Sequence, residues 1–332
     1  MTVGHRTEFA GLPVHNFDPE TPGPVDPERP GPVDPDRPGP VDPGKVAWRI
    51  ATWEEDDNWE ERPSPTFEAR FEQFLDTVDP ASVSALVLGS WGYAAFNTPP
   101  YAQLCAAADR LTGLRALFLG DMTSEECEIS WIRQEDLTPV LEAYPALEVL
   151  RVRGSEANSA PVRLRPLRHR ALRELAFETG GLPAELVRAV GDSDLPALTH
   201  LELWLGTEHY GGDATVEDLA PILSGTRLPA LGYLGLRDAE IADPVAAALA
   251  GAPVVARLHT LDLSLGMLGD AGAAALLAGQ PLTHLRRLDL HHHFVGEELA
   301  ARLVEELPGV EIDLGEGMDP GDEDEYYVAV AE

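Results

Sequence analysis

LHTLDLSLGMLGDAGAAALL, residues Leu258 to Leu277, changes its apolar period partway along. Leu258, Leu261 and Leu263 spell L-x-x-L-x-L, and the last two alternate with Thr260, Asp262 and Ser264, as in a short strand with one buried face. Residues Ala271–Ala278 then follow helical spacing. A strand followed directly by a crossover helix places the next strand parallel to the first and the helix on one side of the sheet.

The same unit recurs in both directions. Val83–Leu86–Leu88, Leu114–Leu117–Leu119, Leu147–Leu150–Val152 and Leu172–Leu175–Phe177 precede it, followed by Leu198–Leu201–Leu203 and Leu231–Leu234–Leu236. Leu285–Leu288–Leu290 and a weaker ninth copy, Leu307–Val310–Ile312, come after it. The central residues are spaced 31, 33, 25, 26, 33, 27, 27 and 22 apart. Helical stretches follow the strands at Tyr101–Leu111, Asp136–Tyr144, Pro183–Val190, Val216–Leu223, Val245–Ala250 and Glu297–Leu307 as well. Units of this kind bury their apolar faces only against their neighbours, so the array forms a curved α/β solenoid.

The segment Leu258–Leu277 resembles the ribonuclease-inhibitor type of leucine-rich repeat, and the resemblance extends over residues 81–314. It implies a horseshoe arc with a concave parallel β-sheet and convex helices, and says little about function. One feature departs from that family. An Asn or Cys is expected three residues after the last Leu of the strand motif, where its side chain bonds the turn. Here that place is taken by Trp91, Met122, Ser155, Gly180, Gly206, Ala239, Gly266 and His293, so the turns need another source of hydrogen bonds. Lys45 is the only lysine, and Arg, Ala, Pro and Gly are abundant, which looks like codon bias in a high-GC bacterial genome. The whole chain also resembles a small bacterial subfamily of such repeats.

The flanks divide into an N-terminal segment (1–45), a cap (46–80) and an acidic tail (315–332). Residues 22–45 hold three octads, PGPVDPER, PGPVDPDR and PGPVDPGK, which favour polyproline II and read as a spacer rather than an SH3-type ligand. Gly11–Phe17 and Val46–Ile50 read as strands covering the first repeat's edge. Trp53–Glu61 is acidic, and Thr66–Thr77 is an amphipathic helix. YYVAVAE at the other end has strand propensity; a frayed tail and a short closing strand are both open.

A formal charge of −33, from 57 acidic and 24 basic residues, argues against nucleic acid and anionic membranes and suits solubility or a basic partner. Two cysteines are too few for a disulfide framework. Residues 1–20 do not read as a signal peptide, and no run of 18 apolar residues occurs, so a cytoplasmic location is expected. No P-loop, G-x-S-x-G or H-E-x-x-H motif occurs. Cys127 lies among Glu125, Glu126 and Glu128, which disfavours a nucleophilic thiolate. Neither catalysis nor a cofactor is expected.

Repeat geometry places the positions flanking the last apolar residue of each motif on the exposed strand face. In the C-terminal half these are Glu202, Trp204, Arg237, Asp262, Ser264, Asp289, His291, Glu311 and Asp313. Asp262, Asp289 and Glu311 are expected in one column about 5 Å apart, where like charges repel by about 1 kcal/mol even in water. A basic partner or a cation would relieve this, and Asp262, Asp289, His291 and Asp313 are a candidate metal set. The other reading is a solvated acidic face balanced by arginines. Three long strand-to-helix loops add Trp91, Tyr93, Phe96, Trp131, His209 and Tyr210 on one rim. The expected function is a scaffold for an unidentified protein or peptide. Glu202, Trp204, Arg237, Asp262, Asp289 and His291 would contact the partner on the concave face, with Trp131 and Tyr210 on the rim.

Overall fold

A computed structural model describes residues 4–18, 41–52, 65–155, 161–318 and 326–331. Most of the proline-rich octads, the acidic Trp53–Glu61 segment and the acidic run 319–325 lie outside the described residues.

The copies of the apolar motif form strands that pair in chain order. The strands are β1 (Glu8–Phe9), β2 (Leu12–Asn16), β3 (Ala47–Thr52), β4 (Ala85–Trp91), β5 (Ala116–Leu119) and β6 (Val149–Arg153). They continue with β7 (Glu174–Glu178), β8 (His200–Gly206), β9 (Tyr233–Ala239), β10 (Thr260–Asp262), β11 (Arg287–Asp289) and β12 (Glu311–Asp313). β1 and β2 form an antiparallel hairpin, and every later neighbour pair is parallel in one open twelve-stranded sheet. The helices are α1 (Pro65–Thr77), α2 (Tyr101–Ala106), α3 (Thr138–Ala143), α4 (Ala184–Asp192), α5 (Val216–Ser224), α6 (Ala242–Leu249), α7 (Asp270–Ala278) and α8 (Glu297–Glu306). From α2 onward they lie between successive strands, and neighbours such as α4 with α5 and α6 with α7 pack together. The chain is an α/β solenoid.

The second motif leucines set the register: Leu86, Leu117, Leu150, Leu175, Leu201, Leu234, Leu261 and Leu288 are partners on consecutive strands. All eight are fully buried, a contribution of roughly 1.5–3 kcal/mol each before entropy is counted. One core runs from Phe17 to Leu307. At the β3 end it is aromatic, with Phe74 packed 5.3 Å from Phe17 and 5.7 Å from Trp48, ring centroid to ring centroid.

The ninth copy has a different register from the sequence expectation. Leu288 pairs with Ile312 rather than Val310, and Asp289 pairs with Asp313. Glu311 therefore lies beside Arg287, outside the aspartate column.

The turns after the strands show what replaces the missing asparagine. Two residues after the motif, Gly154, Asp238, Leu265 and His292 all take a left-handed backbone. Each N–H donates to the carbonyl one place earlier in the next repeat, at Glu178, Ser264, His291 and Gly315, over 2.8 to 2.9 Å. A main-chain ladder thus does what an asparagine side chain would do. The left-handed form costs most L-residues roughly 1–2 kcal/mol, and of Asp238, Leu265 and His292 on three consecutive turns Leu265 bears that most fully, Asp and His being types that adopt it more readily. Side chains help lower down: Asp243 and Asp270 accept the N–H of Gly269 and Gly296, each over 2.8 Å.

Candidate functional site: the concave face and the strand-end rim

Parallel register brings charged side chains from different repeats to neighbouring positions on the concave face, where they pair. Arg49 Nε donates to Asp121 Oδ2 over 3.0 Å. Arg153 Nε donates to Glu178 Oε2 over 2.7 Å, and Arg151 Nη1 donates to Glu178 Oε1 over 2.6 Å. Arg151 also reaches Glu202 at 3.2 Å, and Arg237 donates to the other Glu202 oxygen over 3.0 Å. Arg237 then contacts Asp262 at 3.3 Å, which also accepts from Tyr233 over 2.7 Å and from the Ser264 hydroxyl over 2.6 Å. Gly235, between Tyr233 and Arg237 on β9, leaves room for this ring: a Cβ there would lie 3.1 Å from it.

The face is therefore an alternating ladder of charges, not a free acidic surface. Glu202, Trp204, Asp262 and Asp289, expected to be exposed, are 4 %, 6 %, 5 % and 7 % exposed. Two things cover them: the long arginines bridge adjacent strands, and the segment 326–331 covers Trp204. At the other end of the face the β1–β2 hairpin lays Phe9 over Ala47, Ala85, Val87 and Phe118. The N-terminal segment joins the ladder directly: Arg6 donates to Glu178 over 2.8 Å, and His5 contacts Arg49 and Glu126.

Burial alone would raise the Glu178 carboxyl, but Arg153, Arg151 and Arg6 outweigh it and hold it down at about 2. Burial would likewise raise Glu202, yet Arg151, the neighbouring His200 and Arg237 hold it well below the usual carboxylate range. Arg237 Cζ lies 5.3 Å from the Trp204 ring centroid, and Trp204 Nε1 donates to Glu202 Oε1 over 2.7 Å. Glu202, Trp204 and Arg237 are brought together as a stacked, hydrogen-bonded trio.

Of the candidate metal set, Asp289, His291 and Asp313 each offer a ligand atom, all within 4.8 Å of one another. Asp262 belongs to the Arg237 group and lies outside that cluster. Arg287 occupies the centre of the charge, donating from Nη2 to Asp289 Oδ2 over 2.9 Å and to Asp313 Oδ2 over 2.7 Å. His291 Nδ1 lies 2.6 Å from Asp289 Oδ1. Burial raises the Asp289 carboxyl, but the His291 and Arg287 hydrogen bonds bring it down to about 2. That Asp289 hydrogen bond in turn raises His291.

The rim is less uniformly paired. Tyr93, Phe96 and Trp131 are 47 %, 58 % and 52 % exposed. Their loops are joined by the Arg133 N–H donating to the Ala94 carbonyl over 3.1 Å, and Arg133 Cζ lies 5.9 Å from the Phe96 ring centroid. Tyr210 is half-buried, its ring edge-on to His209 at 4.8 Å.

Sequence reading missed a small apolar group on the same rim, in which Ile129, Trp204 and Leu265 enclose Val330. Tyr326–Ala331 forms neither of the two alternatives expected for it: it adds no strand, and it is anchored rather than frayed, with Val328 and Val330 buried. Leu265 was the available signal, a large apolar residue at a turn position. Cys127 is buried, and burial, more than Glu128 beside it, pushes its thiol up to about 12.

No helix among the described residues is long and apolar enough to cross a membrane. No family model matches the chain. No curated protein matches it either. A structural-genomics crystal structure of a protein from Bacteroides fragilis matches with a TM-score of 0.72 and 28% identity, covering 86% of this chain and 78% of that one. An internalin from Listeria monocytogenes gives a TM-score of 0.38 and 15% identity, covering 73% of this chain and 56% of the internalin, too distant to carry weight. With its L-x-x-L-x-L strands in one open parallel sheet, this chain has a leucine-rich-repeat type of fold.

Proposed function

We propose that this chain is a non-catalytic scaffold that binds a protein or peptide partner through its strand-end rim and the adjoining concave face. The observation that carries this is the exposure of Tyr93, Phe96 and Trp131 on two joined loops of a strongly acidic chain. Large aromatics left in water beside an arginine are typical anchors of an interface. The concave residues Glu202, Arg237, Asp262 and Asp289 act behind that rim, holding a rigid, charge-paired floor. A net charge of −33 favours the approach of a basic partner at low salt. Convex helices in the full repeats support the ribonuclease-inhibitor subtype. The composition supports a high-GC bacterial source, and two free cysteines suit a cytoplasmic setting.

Affinity capture from the source organism tests this, comparing the wild type with Phe96→Glu/Trp131→Glu. A partner held by the wild type and lost by a variant with unchanged melting, then verified by titration of the purified pair, supports the rim. Equal recovery by both proteins would remove the rim, and no recovery by either would remove the scaffold function.

A second function, metal or small-molecule binding, draws on the convergence of Asp289, His291 and Asp313. Any cation has to displace the Arg287 guanidinium from two carboxylates. Calorimetry with zinc, manganese and calcium decides it: a flat trace for all three removes this alternative.

A further inference from the structure

The three left-handed, non-glycine turn residues on consecutive strands share a second property. Each holds the segment Tyr326–Ala331. His292 Nε2 lies 3.1 Å from the Tyr327 carbonyl, the Leu265 carbonyl accepts the Ala329 N–H over 2.8 Å, and Asp238 Oδ1 accepts the Val330 N–H over 3.0 Å. The segment crosses the ends of β11, β10 and β9 in turn and adds no strand to the sheet. A left-handed backbone repeated at matching non-glycine positions marks a built feature, and here each such residue meets the same passing chain.

Side chains complete a groove. Val330 is enclosed by Ile129, Trp204 and Leu265. Beyond it the Ala331 carbonyl passes over Gly180, where any Cβ would strike it. Tyr326–Ala331 carries no charge although the chain as a whole is strongly acidic. The groove therefore takes an extended, uncharged stretch with a β-branched residue at the Trp204 pocket, and reads its backbone through three polar contacts.

One acceptor is left over. Asp238 is fully buried, and while Oδ1 takes the Val330 N–H, Oδ2 has no hydrogen-bond partner. A buried carboxyl oxygen without a hydrogen-bond partner is unfavourable. The resident segment thus leaves unsatisfied a group that a ligand with one more hydrogen-bonding group, such as a hydroxyl, would satisfy.

We propose that the strand-end rim from β9 to β11 is a peptide track filled in cis by Tyr326–Ala331, and that a partner docks by inserting an extended, uncharged Val/Ala-type segment in its place. It presupposes the scaffold function proposed above and supplies the site and the partner's chemistry. The segment is then an internal competitor that sets how tightly the partner binds.

The test uses the full-length chain with Val328→Asp/Val330→Asp, which releases the segment and leaves the track unaltered. The probe is a fluorescein-labelled peptide with the sequence of Tyr326–Ala331, followed by anisotropy. The released variant is expected to bind at least tenfold tighter than the wild type, with the gain lost when Trp204→Ala is added. Equal affinity in a folded variant overturns the proposal. Should the variant not fold, hydrogen exchange on the wild type decides instead. Ala329 and Val330 amides exchanging at least a hundredfold faster than Leu261 and Leu288 support displacement, and equal protection overturns it. A wild-type dimer that the variant converts to monomer would assign the track to a second copy and overturn the partner's role. If a partner depends on Phe96 and Trp131 but binds the released variant no differently, the track fails and the scaffold stands. Peptide binding to the released variant with no rim-dependent partner supports the track and removes the aromatic rim as a docking site.

Discussion

Arg153 and Glu178 sit on adjacent strands with Nε and Oε2 2.7 Å apart, and their side chains are 1% and 0% exposed. Glu178 also accepts from Arg151 and Arg6, so one carboxylate satisfies three guanidinium groups. Removing a single partner from a buried group of this kind leaves charge without compensation.

Glu178→Gln is therefore expected to destabilise the protein by about 3–5 kcal/mol, because three arginines lose their shared counter-charge. Arg302→Ala breaks only the exposed pair with Glu306 on α8 and is expected to change stability by less than about 0.5 kcal/mol. Urea unfolding of the two variants measures the contrast. A small effect of Glu178→Gln would mean that the ladder stabilises little.

The same ladder fixes the response to acid. The Glu178 and Asp289 carboxyls both lie at about 2 in the folded protein, below their ordinary values of 4.5 and 3.8. Groups depressed in this way stabilise fully above their unfolded values and lose that contribution as pH falls through the folded ones. Stability is expected to drop steeply from about pH 4.5 towards about pH 2. Asp238 works in the opposite sense, since burial raises its carboxyl and stability falls as pH rises through that elevated value. Asp238→Asn keeps a residue that tolerates the left-handed backbone and is expected to flatten the decline of stability above the ordinary carboxylate range. Thermal melts across pH compare the two proteins.

Ala10 and Gly11 form the two-residue connection of the β1–β2 hairpin, both with positive φ. Turns of this type favour Asn-Gly. Ala10→Asn is expected to stabilise by about 1 kcal/mol, part of the left-handed penalty of about 1–2 kcal/mol that alanine bears and asparagine largely escapes. No gain in melting temperature would indicate that the hairpin opens before the rest unfolds.

Cys127 is buried with its thiol pushed up to about 12, and burial raises the half-buried Cys105 as well. Neither is expected to react with Ellman's reagent at neutral pH over minutes, whereas both react in urea. Rapid modification of one thiol in the native protein would locate a local opening near α2 or the Cys127 loop.

Strand positions were legible because the side-chain period of two makes a register slip costly: shifting Leu201 or Leu234 by one residue would expose it. The ninth strand escaped because its true register puts Gly309 where the motif calls for leucine, while Leu307–Val310–Ile312 keeps the pattern. The neighbours of Glu202, Arg237 and Asp289 on the concave face were also readable, since parallel repeats fix which positions are adjacent. Their burial was not. It depends on arginines reaching between strands and on residues far away in the chain, such as Arg6 on Glu178, 172 positions distant. No local pattern announces a contact of that kind. Leu265 gave the one visible sign, an apolar side chain at a turn that needed a cover.

A solenoid whose repeats touch only their neighbours is free to melt from either end, one unit at a time. This chain is tied across itself. Arg6 clasps β7 from one side, while Val330 is fastened to Asp238 and Ala331 reaches Gly180, just past the end of that same strand. Both clasps bear on the middle of the array, so loosening an outer repeat pulls on the centre, and unfolding the centre frees both outer segments. The expected result is a single sharp transition of the repeats in place of stepwise fraying, with the mid-array strands and the outer strands losing protection together.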